Sequence, residues 1–155
     1  MSDVTKQAIS WQKINNDSQK LSQAILDQNM LDDCKGIIAV ARGGLLVSQL
    51  VANYLDIRRV ESISVIGYDG MAQRDAQEFN GTPSPDIGDG GSWIVVDDLV
   101  DTGRSYRFIK EHFPNAKYVA LYAKPAGKAD ADITVEDFAQ DTWIDFPWEV
   151  TSLVS

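Results

Sequence analysis

The chain has 155 residues, of which 44% are hydrophobic and 24% are charged, and this composition is typical of one soluble globular domain with a substantial core. Its 23 acidic residues outnumber its 14 basic residues, so the net charge is −9. A chain this acidic is not expected to bind nucleic acid through phosphate contacts. Eighteen of the acids are Asp and five are Glu, and Asp favours turns, helix N-caps and cation sites.

Cysteine content and hydropathy indicate the compartment. Cys34 is the only cysteine, so no intramolecular disulfide can form and no oxidising compartment is needed. The N-terminal residues lack a continuous apolar run, and no window approaches the roughly 18 apolar residues of a membrane-spanning helix. We therefore expect a cytoplasmic protein without a transmembrane segment.

The first part of the chain alternates helical and strand patterns. Apolar residues at near-helical spacing predict an amphipathic helix from Ser10, its N-cap, to about Met30. An uninterrupted apolar run over 37–41 predicts a strand buried on both faces. Helical spacing over 45–55 and β-branched residues over 60–66 complete a strand, helix, strand unit. This alternation predicts an α/β domain, 1–155, with a parallel sheet.

The second part begins with an interruption rich in Gly and Pro. Because structureless segments this long are usually binding loops or lids, we assign a lid to about residues 69–91. A strand is then predicted over 93–96, closed by Asp97, with a helix from about Arg104 to His112 and a strand over 118–123. The remaining segment, about 128–150, is predicted to cover the carboxyl ends of the strands.

Polar clusters follow three of the predicted strands. They are Arg42-Gly43-Gly44, residues 97–103 and Lys124. Because ligands of open α/β sheets bind at the carboxyl edge, we expect these clusters to form the functional site.

Residues 93–105 are the most informative segment chemically. Residues 102–105 lie where a strand turns into a helix, so their backbone N–H groups and hydroxyls can form an anion-binding nest. The preceding Asp97 and Asp98 suit ribose hydroxyls or a bridging Mg²⁺. A solvated acidic turn is the structural alternative, which the neighbouring nest disfavours. The pattern therefore indicates a sugar phosphate bound with a divalent cation.

Residues 94–103, Ile-Val-Val-Asp-Asp-Leu-Val-Asp-Thr-Gly, resemble the phosphoribosyl pyrophosphate (PRPP) fingerprint of the type I phosphoribosyltransferases. The resemblance extends to 41–44, similar to a pyrophosphate loop, to 124–127, similar to a loop that contacts purine O6, and to the base-covering segment 141–148. It is strongest to the bacterial branch that acts on xanthine and guanine. It implies a central, mainly parallel sheet flanked by helices, with a flexible lid loop and a small hood over the carboxyl edge.

The resemblance also implies roles for the residues that would bind PRPP. Arg42 and Gly43 would hold pyrophosphate, with Arg74 of the lid as a further clamp. Asp97 and Asp98 would bind the ribose hydroxyls directly or through Mg²⁺, with Asp98 as the metal ligand. The loop around the 5′-phosphate would consist of Asp101, Thr102, Gly103, Arg104 and Ser105. Arg104 departs from the family, which more often has a small residue at this position.

The purine would be bound by a separate set of residues. Asp101 would act as general base or acid near N7, and Lys124 would donate to the exocyclic O6. Trp143 would stack on the ring, and the Ile144 backbone would meet the 2-substituent. Taken alone, Lys124 also fits an ordinary surface lysine, and Trp143 an ordinary core tryptophan.

The function implied by the resemblance is purine salvage. The enzyme would convert PRPP and guanine or xanthine, with hypoxanthine a further candidate, to the nucleoside 5′-monophosphate and pyrophosphate, and it would form a homo-oligomer, a dimer or tetramer. One alternative is a non-catalytic regulator of the same fold that senses PRPP or nucleotides. A receiver-type signalling domain also uses an acidic pair and a Lys-Pro, but in that fold the acidic pair follows the first strand.

Overall fold

The structure, a computed structural model, describes residues 4–67 and 77–154. Its helices are α1 (Trp11–Asp27), α2 (Gly44–Leu55) and α3 (Arg104–His112). Its strands are β1 (Lys6–Ala8), β2 (Gly36–Ala41), β3 (Val60–Gly67), β4 (Gln77–Phe79), β5 (Trp93–Val100), β6 (Lys117–Ala123), β7 (Glu136–Asp137) and β8 (Trp143–Asp145). One sheet has the order β4-β3-β2-β5-β6-β7, and β1 and β8 form a second, two-stranded sheet.

The predicted α/β fold is confirmed. Within the six-stranded sheet only β4 runs antiparallel to its neighbour. The predicted N-cap of α1 is present, since the Ser10 hydroxyl accepts a hydrogen bond from the Lys13 backbone N–H at 3.0 Å. The helix ends at Asp27 rather than near Met30. None of the helices in the described ranges combines the length and apolar character needed to cross a bilayer.

Hydrophobic clusters cover both faces of the sheet, which explains the uninterrupted apolar run in β2. On one face, α1 and α2 pack against the sheet, and on the other face α3 does so. Successive residues of β2 and β5 therefore face different clusters, with Ile37 and Ile94 in one and Ile38 and Val95 in the other. The two central strands are thereby held rigidly from both sides.

The chain reverses its direction across the sheet between β2 and β5. From β2 it passes through α2 to β3 on one side, whereas from β5 it passes through α3 to β6 on the other side. The loops after β2 and β5 therefore diverge and leave a crevice at the carboxyl ends of the two strands. This is the usual location of a ligand site in a doubly wound sheet.

The strand β5 is longer than predicted. The sequence suggested an end at Val96, because Asp is rare in strands, but β5 continues to Val100. Its parallel pairing with β6 persists from Ile94 to Val100, and this ladder outweighs the low strand propensity of Asp97 and Asp98. Both acids therefore lie within a central strand and not in the loop after it.

Two segments predicted as loop or cover contribute to the sheet. In the interruption, 77–79 forms β4, and the ring of Phe79 packs 5.0 Å from that of Phe108; residues 68–76, with Arg74, lie outside the described residues. In the predicted cover, Ile133 bridges to Val119 and β7 pairs with β6, so part of this segment extends the sheet. Pairing satisfies backbone groups that would otherwise remain open along β6.

A buried carboxylate joins α1 to β6. Asp17 is 2% exposed and accepts a hydrogen bond from the Tyr122 hydroxyl at 2.7 Å. The Lys13 ammonium lies 3.0 Å from Asp17 and 2.7 Å from Glu136. Burial opposes the charge on Lys13, but its hydrogen bonds to Glu136 and Asp17 outweigh this effect and raise its pKa. The network fixes the strand that leads to Lys124.

We predict that Tyr122→Phe lowers the free energy of unfolding by about 1.5–3 kcal/mol, because a buried carboxylate loses one of its donors. The matched control is Tyr54→Phe, whose hydroxyl donates to Asn15 at 2.7 Å on the surface. Its effect should stay within about 0.5 kcal/mol. Urea unfolding measures both free energies. Equal losses would show that the buried hydrogen bond stabilises the fold no more than the surface one.

Candidate active site

The site is organised around Asp97 and Asp98, here called the acidic pair, near the carboxyl end of β5. Both side chains are partly buried, and Asp97 Oδ1 accepts a hydrogen bond from the Asp98 backbone N–H at 2.8 Å. Burial and the adjacent Asp98 carboxylate raise the pKa of Asp97 well above its usual value, and burial also raises the pKa of Asp98. Such a pair favours a cation, because a positive charge offsets the cost of holding two carboxylates together.

The turn after β2 approaches the acidic pair closely. The Ala41–Arg42 peptide in this turn is cis. At Gly43 a Cβ atom would stand 2.7 Å from Cγ of Asp98, and at Gly44 it would stand 2.6 Å from the carbonyl oxygen of Val96. A side chain at Gly44 would meet the backbone of β5, and one at Gly43 would displace the Asp98 carboxylate, so the two glycines allow the turn to lie directly against β5. The structure therefore joins the predicted pyrophosphate loop to the acidic pair.

These residues line one large cavity. Its volume is about 1020 Å³, and its polar wall contains Arg42, Gly43, Asp97, Asp98, Ser105 and Glu149. Leu45, Leu46 and Trp148 provide apolar lining. Glu149 was not predicted from the sequence; its position after Pro147-Trp148 carried no signal that it would face two acids some fifty residues earlier in the chain.

A smaller cavity of about 110 Å³ lies at the start of α3, among Asp97 and residues 99–106. Gly103, the N-cap of α3, has φ of +86°, a conformation that glycine adopts without strain. The Arg107 guanidinium holds this loop from outside, donating to the Thr102 carbonyl at 3.1 Å and to Asp130 at 2.7 Å. The predicted nest is therefore a defined loop at the positive end of a helix, and such a loop can bind an anion.

Asp101 and Lys124 meet beside this loop. The Lys124 ammonium lies 3.7 Å from Asp101 Oδ2, and its side chain is 8% exposed against 50% for Asp101. The Lys124 backbone N–H donates to the Val100 carbonyl at 3.0 Å. At Gly127 a Cβ would lie 2.7 Å from the same carbonyl, so glycine allows the turn to pack against the end of β5. Burial excludes the reading of Lys124 as an ordinary surface lysine.

A further contact to Asp101 comes from Gln140. Its side-chain amide donates to Asp101 Oδ1 at 2.7 Å, and its oxygen accepts from the Ala126 backbone N–H at 2.8 Å. Gln140 was not predicted from the sequence. No local pattern marks a residue whose partner lies 39 positions earlier in the chain.

Trp143 and Ile144 lie on β8, which pairs with β1 through Lys6 and Gln7. The strand β1 was not predicted, since its three residues are all exposed and show no alternation. Ile144 is buried, whereas Trp143 is 60% exposed. A tryptophan this exposed is not a core residue, and its ring can stack on a ligand.

The predicted site residues thus fall into four groups, one of which is Thr102, Gly103 and Arg104 in the smaller cavity. Arg42, Gly43, the acidic pair and Ser105 share one cavity. Asp101 contacts Lys124, and Trp143 with Ile144 belongs to the separate β1–β8 sheet. Arg74 lies outside the described residues.

The donor set fits Mg²⁺ rather than a metal enclosed by protein alone. The acidic pair supplies carboxylate oxygens, which this ion prefers. Among the described residues no group of three or more His, Cys, Asp or Glu side chains is arranged to hold a metal. Mg²⁺ typically binds one or two carboxylates and takes its other ligands from water and substrate phosphates, which suits a pair of which one member, Asp97, lines the cavity of the predicted anion nest.

Comparison with known proteins gives consistent matches. A family model described as a phosphoribosyl transferase domain matches residues 5–154. A xanthine-guanine phosphoribosyltransferase from Idiomarina loihiensis is 42% identical over 143 residues, which are 92% of this chain and 86% of the relative. The enzyme of the same name from Desulfotalea psychrophila is 39% identical, over 98% of this chain and 92% of the relative.

Solved structures agree with this assignment of the fold. A xanthine-guanine-hypoxanthine phosphoribosyltransferase from Helicobacter pylori superposes with a TM-score of 0.74 at 28% identity, covering 94% of both chains. A purine phosphoribosyltransferase from Pyrococcus horikoshii has a TM-score of 0.79 at 24% identity, covering 97% of both chains. At that identity the second comparison shows the fold alone.

The acidic pair makes folding stability depend on pH. Because the pKa of Asp97 is raised in the folded state, folding favours its protonated form, and this stability is lost as pH rises from the unfolded pKa of about 4 through the folded pKa. Asp97→Asn cannot ionise but keeps an acceptor for the Asp98 N–H. With divalent cations chelated, we predict that Asp97→Asn is more stable than the wild type at pH 8 and that its advantage shrinks towards pH 4.

Urea unfolding across this pH range measures the effect. Asp141→Asn, which removes an exposed charge, is the matched control and should show no comparable change. An advantage of Asp97→Asn that stays constant or grows on acidification would contradict the assigned cause.

Proposed function

The chain belongs to the phosphoribosyltransferase family, and we propose that it transfers the phosphoribosyl group of PRPP to a 6-oxopurine base, forming a nucleoside 5′-monophosphate and pyrophosphate. The proposal rests above all on one observation: the acidic pair lies between the Arg42–Gly43 turn and the nest of 102–105. In this order the turn matches the pyrophosphate of PRPP, the acidic pair matches its ribose, and the nest matches its 5′-phosphate. The names of relatives at 36–42% identity support xanthine and guanine as the bases.

The two phosphate-bearing ends of PRPP would bind on opposite sides of the acidic pair. The nest at the start of α3 would hold the 5′-phosphate through the backbone N–H groups of Thr102, Gly103, Arg104 and Ser105 and through the two hydroxyls of this segment. Arg42 and the Gly43 backbone would hold the pyrophosphate. Arg74 is our candidate for a further contact to the pyrophosphate from the segment 69–91.

Asp97 and Asp98 would bind the ribose hydroxyls between these ends, and Asp98 would be the metal ligand. When bound, Mg²⁺ supplies neutralising charge to the pyrophosphate oxygens and holds them in one orientation. The raised pKa values of the pair fit this role, because a cation favours the same ionised state that burial disfavours.

The reaction is a substitution at the anomeric carbon, in which the bond to the pyrophosphate oxygen breaks and a bond to N9 of the base forms. Positive charge develops on the sugar as the leaving group departs, and the nearby carboxylates stabilise it. Arg42 meets the negative charge that collects on pyrophosphate. As the bond to N9 forms, Asp101 accepts the proton from N7. Such acid–base catalysis contributes about 10²- to 10⁴-fold to the rate.

Recognition of the base would depend on Lys124, Trp143 and Ile144. Lys124 donates to O6, Trp143 stacks on the ring, and the Ile144 backbone faces the 2-substituent. The burial of Lys124 beside Asp101 supports this assignment, because a desolvated cation forms a stronger hydrogen bond to a carbonyl than an exposed one. Guanine, xanthine and hypoxanthine all carry O6, whereas adenine does not.

We place the enzyme in the cytoplasm and expect a homo-oligomer, a dimer or tetramer. The comparisons give no support to the alternative of a non-catalytic regulator, since the matched relatives are named as enzymes.

Transfer of label from PRPP to a base tests the proposal. Guanine, xanthine, hypoxanthine and adenine are assayed in parallel, with Mg²⁺ and with a chelator. We expect nucleotide from the 6-oxopurines in the presence of Mg²⁺, little from adenine, and little from any base under chelation. PRPP binding without nucleotide from any base would contradict the enzyme and favour the regulator.

We predict that Asp101→Ala lowers kcat with guanine by about 10²- to 10⁴-fold, because the N7 proton loses its acceptor. The side chain is half exposed, so the melting temperature should change little. Asp101→Asn keeps the shape and the acceptor for Gln140 but cannot take a proton, and its loss should match that of Asp101→Ala. Near-normal steady-state turnover in either variant would refute the role.

We predict that Lys124→Ala reduces kcat/KM for guanine by about 10- to 100-fold, since a charged hydrogen bond to O6 contributes about 1.5–3 kcal/mol. The KM for PRPP and any adenine activity should change far less. The control is Lys128→Ala, which removes an exposed ammonium just after the Lys124 turn. Lys128 pairs with Asp137 on β7, and its loss should leave the activity unchanged. Equal losses with guanine and adenine would contradict a contact to O6.

A further inference from the structure

Gln140 connects three segments that meet at the proposed base site. Its amide nitrogen lies 2.7 Å from Asp101 Oδ1 and 3.4 Å from the Asp101 carbonyl oxygen, and its oxygen lies 2.8 Å from the Ala126 nitrogen. Asp101 follows β5, Ala126 belongs to the Lys124 turn, and Gln140 precedes β8. One side chain therefore contacts both Asp101, the residue proposed to act at N7, and the turn that carries Lys124, the residue proposed to contact O6.

The orientation of the Gln140 amide is determined by its partners. The Ala126 backbone N–H can only donate, so the oxygen of the Gln140 amide must face it. The NH₂ group must then face Asp101, whose carboxylate can only accept. Asp101 Oδ1 is thus held by a donor, while Oδ2 faces the Lys124 ammonium.

Gln140 differs from the glutamines on the helices. Gln12, Gln23 and Gln49, which are exposed as Gln140 is, each donate to a residue four positions along the same helix, and such local contacts have little effect on stability. Gln140 bridges positions 14 and 39 residues away. A contact between distant segments restricts how far those segments can move relative to each other.

We propose that Gln140 is a positioning residue, which holds the Asp101 carboxylate and the Lys124 turn at the separation needed to contact N7 and O6 of one purine. The inference rests on the proposed function, because the roles of Asp101 and Lys124 come from there. In this proposal Gln140 acts through these two residues and does not itself bind PRPP. Its shortest contact is to the Asp101 carboxylate, whereas backbone N–H groups and hydroxyls of 102–105 would bind the 5′-phosphate. Its effect should therefore be larger with the base than with PRPP.

Gln140→Glu is the most selective variant. The new carboxylate can still accept from the Ala126 N–H, but it offers Asp101 a negative charge in place of a donor. The matched control is Gln23→Glu, which makes the same change opposite a carboxylate, Asp27, 2.9 Å away on the surface of α1. Gln140→Met, with similar length and no hydrogen bonds, separates loss of the contact from added charge.

We expect Gln140→Glu to lower kcat/KM for guanine by about 10- to 100-fold and Gln140→Met by a smaller factor, with the KM for PRPP unchanged within about twofold. Gln23→Glu should match the wild type. In an Asp101→Ala background, Gln140→Glu should have almost no further effect on residual turnover, since the contact to Ala126 is kept and the added charge no longer faces a carboxylate. A purely structural role would lower the melting temperature and impair PRPP and base together.

The outcomes separate the two proposals. If the wild type forms no nucleotide from any base, the proposed function fails. If the wild type is active and Gln140→Glu behaves like Gln23→Glu, only the role of Gln140 is overturned. A full additional loss in the Asp101→Ala background would also overturn it, because Gln140 would then act independently of Asp101.

Discussion

The close approach of Gly43 to the Asp98 carboxylate is the constraint on which the rest of the site depends. It occurs where the chain reverses its direction across the sheet, and there the β2–α2 turn and the end of β5 leave a crevice. Packing on both faces holds these two strands, so the turn and the acidic pair keep their positions relative to each other. The proposed site, which would span pyrophosphate, ribose and 5′-phosphate, benefits from such rigidity, because misplacement of either end would be costly.

An acidic chain can bind a still more acidic substrate if the local charges are arranged for it. The net charge of −9 acts over the whole surface and is screened by salt, whereas the nest and Arg42 would act within a few ångströms of the phosphates. The acidic pair repels phosphate only while no cation neutralises its negative charge. In the proposed enzyme a divalent cation reverses that effect, so the same two carboxylates whose ionisation is disfavoured by burial become the reason that the substrate binds with Mg²⁺.

Local patterns predicted much of the fold, and contacts between distant residues were the main source of error. The bounds of α3, from Arg104 to His112, agree with the sequence prediction, because a glycine N-cap and Pro114 mark its ends. The end of β5 was wrong, since pairing with β6 overrides the preference of Asp for loops. The strand β1 pairs with β8, more than a hundred residues later in the chain. Gln140 contacts Asp101, 39 residues earlier. Neither contact leaves a local signal in the sequence.

A crystal structure with Mg²⁺, pyrophosphate and guanosine 5′-monophosphate tests the central arrangement most directly. The account predicts the 5′-phosphate in the loop of residues 102–105, the ribose hydroxyls or the metal on Asp97 and Asp98, and pyrophosphate against Arg42 and the Gly43 backbone. The purine should lie between Lys124 and Trp143, with N7 facing Asp101. A nucleotide bound away from the junction of β2 and β5, or in the reverse orientation with its base at the nest, would contradict it.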